Sequence, residues 1–170
     1  MQQYGNVMKK IFPYLTYAGA IPFIFCAVCL GADIQELPFL GSVKKILSVY
    51  GLVISSFLAG AHWGQHLYIN KHPWSRSLPI LSNTIAVLLW FGFLVLTFKM
   101  LMAMFVAAFI VLLIIDRRLF QMDLITRHYF RTRFFVSAIV IMSLIISGII
   151  SWQTLLSLEL DYPVFHLLIY

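Results

Sequence analysis

The longest apolar run in this chain constrains its fold most, because no soluble protein of this size could cover it. From Leu78 to Ile115 the sequence is interrupted only by a few uncharged polar residues and by Lys99. As a helix, at about 1.5 Å per residue, the run is roughly 57 Å long, close to two crossings of a hydrocarbon core about 30 Å thick. It therefore predicts a helical hairpin in a membrane, with its turn near Thr97–Lys99.

Similar apolar runs elsewhere predict about five spans, at residues 12–30, 46–68, 78–97, 100–116 and 134–156. Hydrophobic residues make up 62% of the 170 residues and charged residues 11%, against roughly 45–50% and about 25% in soluble domains. The predicted fold is a single all-α integral membrane domain, residues 1–170, a bundle of about five transmembrane helices. Pro22 inside the first span predicts a kink, which is tolerated where a neighbour satisfies the freed carbonyl.

The basic residues predict the orientation. With the amino end inside, the outer segments hold Lys44, Lys45 and Lys99, and the inner segments hold all the others: Lys9, Lys10, Lys71, Arg76, Arg117, Arg118, Arg127, Arg131 and Arg133. This asymmetry favours a cytoplasmic amino end and an outside carboxyl end. The same cations flank apolar spans, so the net charge of +6 indicates lipid head groups rather than nucleic acid. The lack of an Arg- and Ser-rich presequence favours a bacterial cytoplasmic (inner) membrane over the mitochondrial inner membrane.

Alternating spans bring most polar side chains to one membrane face, the cytoplasmic one. The resulting hypothesis for a ligand site comprises His62, Trp63, Asp116, Tyr129, Arg131 and Arg133. Asp116 requires a cation, which Arg117, Arg131 or Arg133 could supply. The pair could lock the fourth and fifth helices together, or it could belong to a pocket for an anionic head group or a carboxylated or phosphorylated small molecule.

His62 and His66 lie four residues apart, so on a helix they share a face. The spacing suits two ligands of one metal, and a single histidine can ligate haem. No third ligand is evident beyond His128, so we expect no cofactor and keep metal or haem as an alternative. The favoured interpretation is that His62 packs inside the bundle with one hydrogen bond while His66 faces the interface, and proton handling is a further alternative.

Small residues at Ser56, Gly60 and Gly64 follow each other at four-residue steps. Such a stripe allows another helix to approach closely, because lipid supplies no hydrophobic drive between helices. We therefore predict a helix-packing surface here, which would also shield His62.

Three stretches resemble the transmembrane protein 69-like family, also described as domain of unknown function 3429. They are Tyr17-Ala18-Gly19-Ala20-Ile21-Pro22-Phe23, the block from Tyr50 to Gly64 with Gly60-Ala61-His62-Trp63-Gly64 at its end, and Asp116-Arg117 followed by Tyr129-Phe130-Arg131-Thr132-Arg133. The resemblance covers most of the chain in order and implies a five-helix membrane protein with no known reaction. His66 has no counterpart in the family pattern.

Together these features favour a non-enzymatic membrane protein that binds a lipid-like or anionic small molecule, or a membrane-protein partner, at the polar cluster. A haem or metal site at His62 is the alternative. A small transporter acting as a homo-oligomer is a further one, although no inverted repeat is evident. Enzyme chemistry on a lipid is least favoured, because no nucleophile elbow and no Ser-His-Asp arrangement appears.

Overall fold

The computed structural model describes the backbone of residues 13–65 and 74–161, and the side chains of these ranges apart from residues 74–75 and 152–161. Its five long helices are α1 (Ile21–Gly31), α2 (Val43–Gln65), α3 (Trp74–Val95), α4 (Phe98–Gln121) and α5 (Arg127–Asp161). A short helical segment at residues 13–18 precedes α1. A two-stranded antiparallel ribbon, β1 (Glu36–Leu37) and β2 (Gly41–Ser42), lies in the loop between α1 and α2.

Among the described residues, five helical stretches are long and apolar enough to cross a membrane. They are Pro13–Gly31, Val43–Gln65, Arg76–Val95, Phe98–Gln121 and Arg127–Ser151. The all-α membrane fold with about five spans is therefore confirmed. Which end of the chain is cytoplasmic stays a prediction.

The helices extend beyond several of the predicted spans. Helix α4 continues past Asp116 to Gln121, and α5 begins at Arg127 rather than at residue 134. Hydropathy marks the lipid-immersed length only, whereas helices continue into the head-group region where long basic side chains reach water. Thr126 Oγ1 accepts a hydrogen bond from the Tyr129 backbone N–H at 3.3 Å, which caps the first turn of α5. Residues expected in a polar loop thus lie on a rigid helix.

The first span is interrupted just before Pro22. Residues 19–20 form a turn between the segment 13–18 and α1, and Pro22 occupies the first turn of α1, where its missing N–H breaks no helical bond. The Tyr50 hydroxyl of α2 donates a hydrogen bond to the Gly19 carbonyl at 3.0 Å. A neighbouring helix therefore satisfies a carbonyl at the break, as a lipid environment requires.

Helix α2 occupies the middle of the bundle and packs against α1, α3 and α4, while α5 packs against α1 and α4. The close approach of α2 to α4 occurs at Gly51, where an added Cβ would lie 2.6 Å from Cε2 of the buried Phe105 ring. Gly60 and Gly64 have nothing within 4 Å of an added Cβ in the described part of the chain. The packing role that the sequence predicts for the small-residue stripe therefore stays a prediction.

Candidate functional site

His62 lies near the end of α2 and is buried, with 2% of its surface exposed. Its Nδ1 is 2.9 Å from the Leu58 carbonyl oxygen, one helical turn earlier. A carbonyl oxygen can only accept, so Nδ1 donates and must carry a proton. This bond fixes the ring orientation and directs Nε2 away from α2.

The Nε2 atom of His62 meets Asp116 of α4, at 3.0 Å from Oδ1. The other carboxylate oxygen, Oδ2, accepts from Nε of Arg133 on α5 at 3.1 Å. Asp116 is fully buried and Arg133 is 5% exposed. Burial of charge is costly unless the charges are paired and hydrogen-bonded, and here each carboxylate oxygen has a partner. We name His62, Asp116 and Arg133 the polar triad; its members come from three different helices.

The sequence indicates three possible arginine partners for Asp116. In the structure the partner is Arg133. Arg117 is exposed, and Arg131, also exposed, lies over the Phe135 ring at 5.7 Å from its centroid. Arg133 is buried, and it lies on the same α5 face as Tyr129, one helical turn away. Arg131, two residues from Arg133, necessarily points elsewhere.

A cavity of about 460 Å³ adjoins the triad. We call it the α2–α5 cavity, because α2 and α5 form most of its walls with residues 15–19 closing one side. Its polar lining is Thr16, Gln65, Tyr129 and Arg133, and its apolar lining includes Leu15, Ile54, Phe57, Leu58, Ala61 and Val136. The cavity is therefore amphipathic, with its polar end at Arg133.

The polar end of this cavity holds an acceptor that lacks a partner. Tyr129 interacts with Gln65, Arg133 and Asp116. The Gln65 Oε1 atom is buried and, among the described residues, has no hydrogen-bond partner. Such an atom marks a position where water or a ligand completes the hydrogen bonding. Gln65 was not singled out in the sequence, although it lies one helical turn after His62, which places the two on neighbouring faces of α2.

The remaining candidates lie apart from the triad. Trp63 is 45% exposed and is not among the residues that line the cavity. His128 is exposed, and His66 lies outside the described residues. Within residues 13–65 and 74–151, no three His, Cys, Asp or Glu side chains come together as a metal site would require. Both ring nitrogens of His62 are engaged, so a metal or haem at this histidine would have to displace Leu58 or Asp116.

Comparison with known proteins yields one family. The sequence model of the family described as "Protein of unknown function (DUF3429)" matches residues 8–149, a range that contains the whole polar triad. No curated protein and no solved structure matches the chain.

Proposed function

Since the chain belongs to the DUF3429 family, whose description names no activity, we propose from its geometry that it binds a lipid-like amphiphile in the α2–α5 cavity. The head group of the amphiphile contacts Arg133, Tyr129 and Gln65. Its apolar part lies along α2 and α5 between residues such as Ile54, Phe57 and Val136. No bond in the bound molecule needs to change, so the proposed role is binding rather than catalysis.

The observation that carries this proposal is the division of the cavity lining into one polar end and a long apolar part. Ligand cavities of roughly 300–1,000 Å³ commonly combine apolar walls with a few placed polar groups that fix orientation. At about 460 Å³ the cavity suits a head group with part of a chain rather than a whole two-chain phospholipid. Arginine is well suited to the polar end, because its planar fork binds carboxylates and phosphates.

The location of this function follows from the sequence asymmetry. The cavity lies where α2 ends and α5 begins, on the face that the distribution of Lys and Arg assigns to the cytoplasm. We accordingly place the protein in a bacterial inner membrane, with membrane lipids as its partners and the cytoplasmic leaflet as the source of the ligand. Kinship with transmembrane protein 69 belongs to the same proposal and rests on the His62-Trp63 block and the Tyr129–Arg133 stretch.

Filling the cavity with a side chain tests the proposal. Ala61 lines the cavity without belonging to the triad, so Ala61→Phe should occupy the space that the ligand needs. Ala107→Phe is the matched control, because it adds the same ring to an exposed alanine of α4 outside the cavity lining. Both variants and the wild type are titrated with a polar lipid extract and with a short-chain quinone, and bound masses are recorded by native mass spectrometry.

We expect a bound amphiphile in the wild type and in Ala107→Phe, and at least a tenfold lower occupancy in Ala61→Phe. Equal occupancy in all three proteins, or no bound molecule in any of them, would overturn the proposal. A second comparison measures ligand occupancy in two variants of α5, Arg133→Gln and the control Arg131→Gln. Occupancy should fall only when the arginine at the cavity is replaced.

A further inference from the structure

The hydrogen bonds of the polar triad require one more proton than its neutral form contains. His62 Nδ1 faces the Leu58 carbonyl and therefore holds a proton, as shown above. The Nε2 atom lies 3.0 Å from Asp116 Oδ1. A bare Nε2 against an ionised carboxylate would place two lone pairs in contact, so a proton must lie between these two atoms.

This proton sets the charge of the triad. If it resides on Nε2, His62 is an imidazolium and Asp116 a carboxylate; if it resides on Oδ1, both groups are neutral. The sum over these two residues is zero in either case, and Arg133, which is always protonated, makes the triad +1. Without the shared proton the triad is neutral.

No other charge in the described surroundings cancels this +1. The segment 13–18 contributes Thr16 to the cavity, α2 contributes Gln65, and α5 contributes Tyr129, all uncharged. From α3, the Ser82 hydroxyl donates to the Ala59 carbonyl. Asp116 is the one acid that α4 supplies here, and Arg117 and Arg118 beside it are exposed. A buried net charge next to a cavity favours a ligand of opposite charge, because the low dielectric strengthens their attraction.

We infer that the α2–α5 cavity takes a head group carrying one negative charge, and that this anion binds together with the proton shared by His62 and Asp116. The inference rests on the proposed function and specifies its ligand class. Because the neutral triad lacks the attracting charge, anion affinity falls as pH rises through the range in which the proton leaves. One linked proton gives at most about a tenfold change in affinity per pH unit.

Two substitutions lock the triad in its two charge states. In Asp116→Asn, the amide oxygen can accept from Arg133 and the amide N–H can donate to Nε2 of a neutral His62. The hydrogen bonds persist, and with a neutral His62 the net charge is +1 without the shared proton. In His62→Gln, an amide replaces the imidazole beside the Asp116 carboxylate and the Arg133 guanidinium, so the net charge stays zero.

The experiment measures the affinity of the full-length protein in nanodiscs for decanesulfonate, decanol and decyltrimethylammonium between about pH 5 and pH 8.5. The sulfonate is a permanent anion, so any pH dependence belongs to the protein. Ala61→Phe and Ala107→Phe are included, and each variant is first shown to be monodisperse. If His62→Gln fails this check, Asp116→Asn against the wild type decides the question.

For the wild type we expect decanesulfonate to bind more tightly than decanol at low pH, with its affinity falling by up to tenfold per unit at higher pH. Asp116→Asn should bind the sulfonate tightly with a flat pH profile, and His62→Gln weakly with a flat profile. Equal affinities for all three probes, each abolished by Ala61→Phe, would overturn the anion inference and keep the proposed function. The same pH dependence in Asp116→Asn as in the wild type would overturn the proton linkage. Binding of every probe regardless of Ala61→Phe would overturn the proposed function, and this inference with it.

Discussion

Exchanging single glycines of α2 for alanine distinguishes the face that packs on α4 from the face where the described residues leave space. At Gly51 an added methyl would lie 2.6 Å and 2.8 Å from two carbons of the Phe105 ring, which is fully buried and cannot move aside cheaply. Overpacking of this kind costs typically about 1–3 kcal/mol. At Gly60 the same methyl meets nothing within 4 Å in the described chain.

Both substitutions also gain helix propensity, about 0.5–1 kcal/mol for Gly→Ala in a helix interior. This gain is common to the two variants and cancels in their difference. We therefore expect Gly51→Ala to be less stable than Gly60→Ala by about 1–3 kcal/mol, the overpacking cost alone. Gly60→Ala itself should match or exceed the wild type.

Reversible unfolding in mixed micelles titrated with sodium dodecyl sulfate measures these differences. Phe105→Leu provides the control, since it removes the ring that the new methyl would contact. The double variant should be more stable than the sum of its single changes predicts, as expected for residues in contact. Equal stability of the two alanine variants would refute the reasoning. A concentration-dependent loss in Gly60→Ala would instead show that the small-residue stripe joins two copies of the chain.

Asp116→Ala leaves the buried Arg133 without its carboxylate and should lower the free energy of unfolding by about 3–5 kcal/mol. The control Arg131→Ala should change this free energy by no more than about 0.5 kcal/mol. Thermal unfolding in one detergent compares the two variants, and similar losses would contradict the pairing of Asp116 with Arg133. Tyr50→Phe removes the hydroxyl that donates to the Gly19 carbonyl and should lower the free energy of unfolding by about 0.5–1.5 kcal/mol. Hydrogen exchange at residues 19–20 should become faster, and unchanged exchange there would contradict this role of Tyr50. The orientation in the membrane is tested with single cysteines in a background in which Cys26 and Cys29 are replaced. A cysteine in place of Asp123 should react with an impermeant maleimide only in inside-out vesicles, and a cysteine in place of Glu36 only in right-side-out vesicles. The opposite pattern would reverse the predicted topology.

The sequence alone predicts the class of this fold because lipid imposes a simple rule: apolar runs must be helical and long enough to span. It also predicts that His62, Asp116 and Arg133 lie near one membrane face, since alternating spans return each helix end to the same side. The partner of Asp116 could not be chosen from hydropathy, because the hydropathy boundary placed Arg131 and Arg133 in a loop. Because α5 begins at Arg127, both arginines lie on a helix. Two residues apart on a helix, they face different directions, and only Arg133 faces Asp116.

The packing surface of α2 was harder to predict than the polar cluster. Ser56, Gly60, Gly64 and Gly51 are all small, and nothing in their spacing distinguishes the face that meets Phe105 from the face on which the described residues leave space. That distinction depends on where α4 crosses, which is a property of the whole bundle. The cavity likewise depends on three separated chain segments, so no local pattern around Gln65 could reveal it.

Because the polar triad draws one residue from each of α2, α4 and α5, its completion depends on the order in which the chain enters the membrane. When α4 inserts during synthesis, Asp116 already has His62 beside it but still lacks its arginine, and a carboxylate in the core of a bilayer costs about 2.5–3.5 kcal/mol at the centre and less towards the ends. Only the arrival of Arg133 on the last span provides the donor for the second carboxylate oxygen, Oδ2. A chain truncated before Arg133 would thus keep a buried carboxylate oxygen without a hydrogen-bond donor, and we expect such a chain to pack α4 less stably than the finished bundle does.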